Sequence, residues 1–137
     1  MSDPTRFLNV DLDLQGDEPL APLVAALEGA AFSLHDETGD GSFRATLELS
    51  ADPSDALAGI RGFIAAVKAL PASARAMWDR LASRRLDVGM QAGGGPAFRA
   101  ELPTSVLAEL ARLELSLAIT IYAAAGEERP DAPLGQA

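Results

Sequence analysis

The sequence predicts an α+β domain, a mainly antiparallel sheet of about six strands with its helices packed on one face. Three observations carry this. Arg6 to Leu14 and Leu115 to Tyr122 alternate apolar and polar side chains with period two, the mark of strands buried on one side only. Between them lie stretches with apolar residues at i, i+3, i+4 and i+7, opened by Pro19, Pro53, Pro71 and Pro103. The order of segments, β-α-β-β-α(α)-β-β-α-β, lacks the strict strand-helix alternation of an all-parallel sheet.

In the first strand Leu8, Val10, Leu12 and Leu14 point one way and Asn9, Asp11 and Asp13 the other. Gly16-Asp17-Glu18-Pro19 starts a helix whose stripe is Leu20, Leu23, Val24 and Leu27, with Gly29 as its stop. Ala31–Glu37 and Ser42–Leu49 flank Thr38-Gly39-Asp40-Gly41, whose Gly and Asp-Gly supply the positive φ angles of a hairpin turn. Phe32 and Leu34 are expected to face inward with Phe43, Ala45, Leu47 and Leu49.

The second helix is expected to open with Asp52 as N-cap and Asp55 near the positive end of its dipole. Its buried stripe is Leu57, Ile60, Phe63, Ile64, Val67 and Leu70; Pro71 breaks it, and a further helix runs from Ala72 to Arg84 around Met77 and Trp78. Leu86, Val88 and Met90 then alternate as a strand, Ala92 to Pro96 form a flexible loop, and Phe98, Ala100 and Leu102 make a hairpin partner. Thr104 or Ser105 caps the last helix, with Val106, Leu107, Leu110 and Leu113 buried. In the closing strand Leu117, Ile119 and Ile121 are expected to be buried, leaving Thr120 and Tyr122 on the other side.

With 137 residues and 48% hydrophobic content the chain supports one aliphatic core, spanning residues 5–124, followed by a flexible tail over 125–137. Cysteine is absent, which excludes disulfides, thiolate nucleophiles and Cys-based zinc sites. No run reaches the roughly 18 apolar residues of a membrane span, and the N-terminus lacks the pattern of a signal peptide. The expectation is a cytoplasmic protein that needs no membrane.

The net charge of −9 is unevenly spread. Residues 1–60 carry 12 acids and 2 arginines (net −10), 61–112 carry 4 acids and 8 bases (net +4), and 113–137 carry 4 acids and 1 base (net −3). Such a balance argues against nucleic acid or an anionic membrane as partner and for a protein partner, basic if charged. Because every strand is apolar on one side, the opposite sheet face is polar. Its expected members carry six acids against two arginines.

Several stretches invite chemistry. Asn9, Asp11 and Asp13 could offer oxygens to Mg²⁺ or Ca²⁺, but same-face residues of one strand stand about 7 Å apart and cannot close a coordination shell alone. His35-Asp36-Glu37 suggests acid-base work, yet His35 and Asp36 point to opposite faces and no nucleophile lies at a recognisable spacing. Gly93-Gly94-Gly95-Pro96 leads into a strand and lacks the Lys-Ser/Thr of a phosphate-binding loop. Arg75, Arg80, Arg84 and Arg85 around Trp78 look at first like a nucleic-acid patch, but Arg75 has Asp79 at i+4 and Met77, Trp78 and Leu81 read as core; such a ridge could instead meet an acidic loop of the same chain.

The run Arg85 to Gln91, the Gly-rich turn, Phe98 to Leu102, an apolar helix and a closing strand ending Ile119-Thr120-Ile121-Tyr122 resembles a family of small bacterial domains of unknown function. The resemblance covers the layout of residues 6–123 and implies a fold, not an activity. In size, acidity and layout the chain is also similar to immunity proteins that neutralise bacterial toxins.

Two functional readings follow. The first is a non-enzymatic protein-binding module, of the immunity-type inhibitor kind, acting through the acidic sheet face with Asp11, Asp13, His35, Arg44, Asp87, Arg99 and Tyr122 as candidate contacts. It assigns no catalytic residue, metal or cofactor. The second is a small-molecule or metal-dependent enzyme whose residues converge from several strands. A deep pocket holding several of these groups would favour the enzyme and a shallow face the module. Oligomeric state and strand order are not determined at this level.

Overall fold

A computed structural model describes residues 3–124; the tail expected over 125–137 lies outside the described residues. The chain is α+β, with β1 (Arg6–Gly16), α1 (Ala21–Ala26), β2 (Ala31–Gly39), β3 (Ser42–Leu49), α2 (Ala56–Lys68), α3 (Ala72–Asp79), β4 (Ser83–Gln91), α4 (Thr104–Arg112) and β5 (Ser116–Tyr122). The strands form one mixed, mostly antiparallel sheet in the order β2-β3-β1-β4-β5. Only the β4–β5 pair is parallel, as its crossover through α4 requires. No single helix among the described residues is long and apolar enough to cross a membrane.

The core lies between one sheet face and the helices. Val10, Leu12, Leu14, Ala45, Leu47, Leu86, Val88 and Met90 are buried on that face beneath Ile60, Phe63, Val67 and Trp78. Helix α2 approaches β1 closely because Gly59 carries no side chain: a Cβ there would stand 2.7 Å from Val10 Cγ2. The helix-compatible stripe and the close-approach glycine thus serve one packing arrangement.

Helix α2 is capped by Asp55, whose carboxylate accepts from Ala58 N at 2.8 Å, not by Asp52. The third helix ends at Asp79, five residues short of the expected Arg84, and the following strand already begins at Ser83. Arg84 ties down this end of the helix. Its guanidinium, with the side chain only 9% exposed, donates to the carbonyls of Trp78 (2.7 Å) and Leu81 (3.0 Å) and to the Glu114 carbonyl and carboxylate. Trp78 O also accepts from Leu81 N at 3.2 Å, so the guanidinium adds to a backbone hydrogen bond at this helix end. Trp78 Nε1 donates to Leu113 O at 3.1 Å, tying the ends of α3 and α4 together.

The hairpin between β2 and β3 turns as expected through Asp40 and Gly41, both at positive φ. Other phases differ. A register shift between Phe7 and Asn9 makes Leu8 the extra residue, so Phe7 faces the core and Leu8 is exposed. In β2 the inward residues are Ala31 and Ser33, paired with Leu49 and Leu47, while Phe32 and Leu34 are 45% and 50% exposed. A second bulge at Leu34 moves Asp36 and Thr38 into line with Ala45 and Phe43.

Phe98–Leu102, expected as a sixth strand, stays outside the ladder, and β5 takes the place beside β4. The glycine loop accounts for this. Gly93 N donates to Thr5 Oγ1 at 3.0 Å, and the space a Gly93 Cβ would need is filled by the backbone of Asp3 and Pro4. Held against the N-terminal segment, the loop cannot fold 98–102 back on β4 as a hairpin.

In β5, Leu117, Ile119 and Ile121 align with Leu86, Val88 and Met90 and so share the helix-side face, as expected. They are not buried as expected. Leu117 is half-buried, whereas Ile119 and Ile121 are each 63% exposed, because β5 is an edge strand that the helical layer does not reach.

Candidate functional site

On the open face the ladder sets side chains in cross-strand rows. Asp11 of central β1 lies directly opposite Glu48 on β3 and Asp87 on β4, and the row extends to Phe32 on β2. Directly opposed residues of antiparallel strands have Cβ atoms about 4.5–5.5 Å apart, where like charges repel. Partial burial, then the charges of Glu48, Asp13 and Asp87, push the Asp11 carboxyl up to about 6. The only side-chain donor near it among the described residues is Asn9 Nδ2 at 3.5 Å from Oδ1.

The neighbouring acids are better supplied. Asp13 accepts from Thr46 Oγ1 at 3.0 Å and faces Arg85 at 3.6 Å; Asp87 accepts from Thr120 Oγ1 at 2.8 Å. The strain of like charge therefore concentrates on Asp11.

Of the candidate residues read from the sequence, Asp11, Asp13 and Asp87 come together. Arg44 sits on the same face four residues along β3 from Glu48, opposite Gln15. Tyr122, opposite Gln91, is 53% exposed and its ring edge lies beside Gly89 on that face. His35 pairs in register with Thr46. Arg99 does not belong: it lies in the segment outside the ladder, paired with Glu101 at 2.7 Å, so both leave the expected charge count of the face. Losing that pair leaves the net charge of the face unchanged, and the two further arginines that the register adds make it less acidic than expected. Its acids cluster centrally, with Arg6 and Arg85 placed by the register on the same face.

Glu48 and Arg85 were missing from that set. Glu48 alternates with Thr46 and was legible as a polar-face residue, but only the strand order sets it against Asp11. Arg85 followed a helix that the sequence extends too far. The ridge residues are otherwise spent within the chain, Arg80 on Glu18 at 3.0 Å, Arg84 on Glu114 and Arg75 near Asp79 at 3.5 Å. The mate of the ridge is thus largely the chain's own acidic turns.

No three His, Cys, Asp or Glu side chains among the described residues are placed to hold a metal ion. Clefts exist elsewhere, about 470 Å³ between α1 and the β2–β3 hairpin and about 400 Å³ beside β5. Arg44 lines the first of them. Of the Asp11 row, Phe32 lines the first of these clefts, and Asp11, Glu48 and Asp87 line neither.

Comparison of the chain with protein-family models, with curated proteins and with solved structures returns no match, so the resemblance in layout carries no further argument.

Proposed function

We propose that the chain is a protein-binding module, of the immunity-type inhibitor kind in the cytoplasm, whose open sheet face accepts a basic protein surface and acts by occlusion. The observation that carries this is the row Phe32–Glu48–Asp11–Asp87, which sets an exposed aromatic ring position beside three opposed carboxylates. Three like charges in one row cost the isolated fold stability, and a guanidinium or ammonium group placed over Asp11 relieves that cost while Phe32 supplies apolar contact. Neither of the two clefts described above gathers these candidate groups, which weighs against the enzyme reading.

The test is capture of a basic partner on immobilised wild-type chain, followed by association kinetics for Asp11→Lys with Asp87→Lys. Steering acts mainly on association, so the double reversal should slow the association rate about tenfold at low salt and flatten its salt dependence. Equal association by the reversed protein would place the site elsewhere.

A further inference from the structure

The two edges of the sheet are built differently. Edge strand β2 carries Asp36 and Glu37 and a bulge at Leu34, devices that block pairing with another strand. Edge strand β5, Ser116–Tyr122, has no charge, no proline and no register shift against β4. Among the described residues its outer side carries no backbone hydrogen bond from 97–103, although that segment passes over the same end of the sheet. In a chain of net charge −9 this neutral edge, unprotected among the described residues, is an exception.

We infer that β5 pairs edge to edge with β5 of a second copy of this chain, antiparallel about a twofold axis, to make one continuous ten-stranded sheet. The sequence of the strand is self-complementary in that arrangement. Centred on Ile119, the axis sets Ile119 against itself and Leu117 against Ile121 on the helix side, and Ser116 against Tyr122 on the open side. No like charges meet in any of these pairs. The same operation on β2 would bring acidic residues of both copies together.

A perpendicular twofold keeps both helical layers on one side, so Ile119 and Ile121, each 63% exposed, gain apolar cover from their counterparts. Half-exposed large side chains offer on the order of 100 Å² apiece. With the backbone edge, the isoleucines of each copy supply part of the roughly 800 Å² per partner of a standard interface, which places the dimer in the weak class. The Asp11 row remains uncovered, so this inference stands independently of the proposed function.

Sedimentation velocity across the micromolar range should show the wild-type mass rising from 14.2 kDa towards twice that value. Ile119→Lys should stay monomeric, with a melting curve that matches wild type at concentrations low enough to keep both monomeric, and Leu34→Lys on the other edge should dimerise like wild type. Because the chain has no cysteine, Ile119→Cys gives a second readout. Oxidation should cross-link it several-fold faster than Ala118→Cys or Ser116→Cys. A monomeric wild type at every concentration, a dimer that survives Ile119→Lys, or equal cross-linking at all three positions would overturn the pairing.

Discussion

Strands β1 and β5 carry the same alternating pattern and meet opposite fates. Leu12 is fully buried, while Ile119, at an equivalent apolar position, is 63% exposed. Alternation reports which side of a strand is apolar; coverage depends on where the strand lies in the sheet and which helix reaches it. β1 is central and sits under α2, whereas β5 is an edge beyond the helical layer. Hydrophobic patterning is thus a statement about direction before it is a statement about burial.

The largest effect should separate these two positions. Leu12→Ala should cost about 2–5 kcal/mol, the loss of a core side chain plus the cavity left behind. Ile119→Ala, read at concentrations low enough to keep the chain monomeric, should cost under about 1 kcal/mol, since little of that side chain leaves water on folding. Urea melts of both variants decide it. Similar losses at the two positions would mean that β5 is covered after all.

Most of the architecture was legible for the same reason. Period two located the strands in β1, β3, β4 and β5, proline and stripe located the helices, and the Asp-Gly turn located the hairpin. What stayed hidden were features set by tertiary contact. A single extra residue at Leu8 or Leu34 inverts the phase of its neighbours without altering composition. Phe32 outranks Ala31 in hydrophobicity, yet the inward position opposite Leu49 holds the smaller residue. At the candidate site, Asp11, Asp13 and Asp87 were readable as polar-face residues. Their juxtaposition with Glu48 needed the strand order, which no local pattern encodes.

Arginines sharpen the contrast between covered and uncovered regions. Arg84→Ala should cost about 2–3 kcal/mol, because it strips charge-assisted hydrogen bonds from the carbonyls of Trp78, Leu81 and Glu114 at the junction of α3 and α4. Arg84→Lys should recover only part of this, a point charge being unable to span the same fork of acceptors. A thermal melt in which either variant matches wild type would remove Arg84 from the structural framework.

On the open face the sign reverses. The Asp11 carboxyl is raised to about 6 from an ordinary 3.8, first by burial and then by its acidic neighbours. Between those values the folded state binds more protons than the unfolded one, so stability falls as pH rises through roughly 4 to 6 and the loss persists at pH 7. Asp11→Asn should therefore stabilise the protein at pH 7, by roughly 1–2 kcal/mol after solvent screening, and flatten that pH window. Melts at pH 4 and pH 7 give the comparison, and a destabilised variant at pH 7 would show that the carboxylate is held by a favourable partner.

The smallest effect belongs to Arg99. The pattern of Phe98, Ala100 and Leu102 placed it on the sheet face, but the segment runs outside the ladder and its guanidinium pairs with Glu101, with both side chains more than two-thirds exposed. Exposed pairs of this kind gain little from Coulomb attraction in water and lose side-chain freedom. Arg99→Ala should therefore change stability by less than about 0.5 kcal/mol. It should also leave association with a basic partner unaltered, since Arg99 lies outside the strands that carry the Asp11 row. If removing Arg99 changed association as much as reversing Asp11 and Asp87, the docking surface would have to extend over the 97–103 segment, and the open face of the sheet would be only its margin.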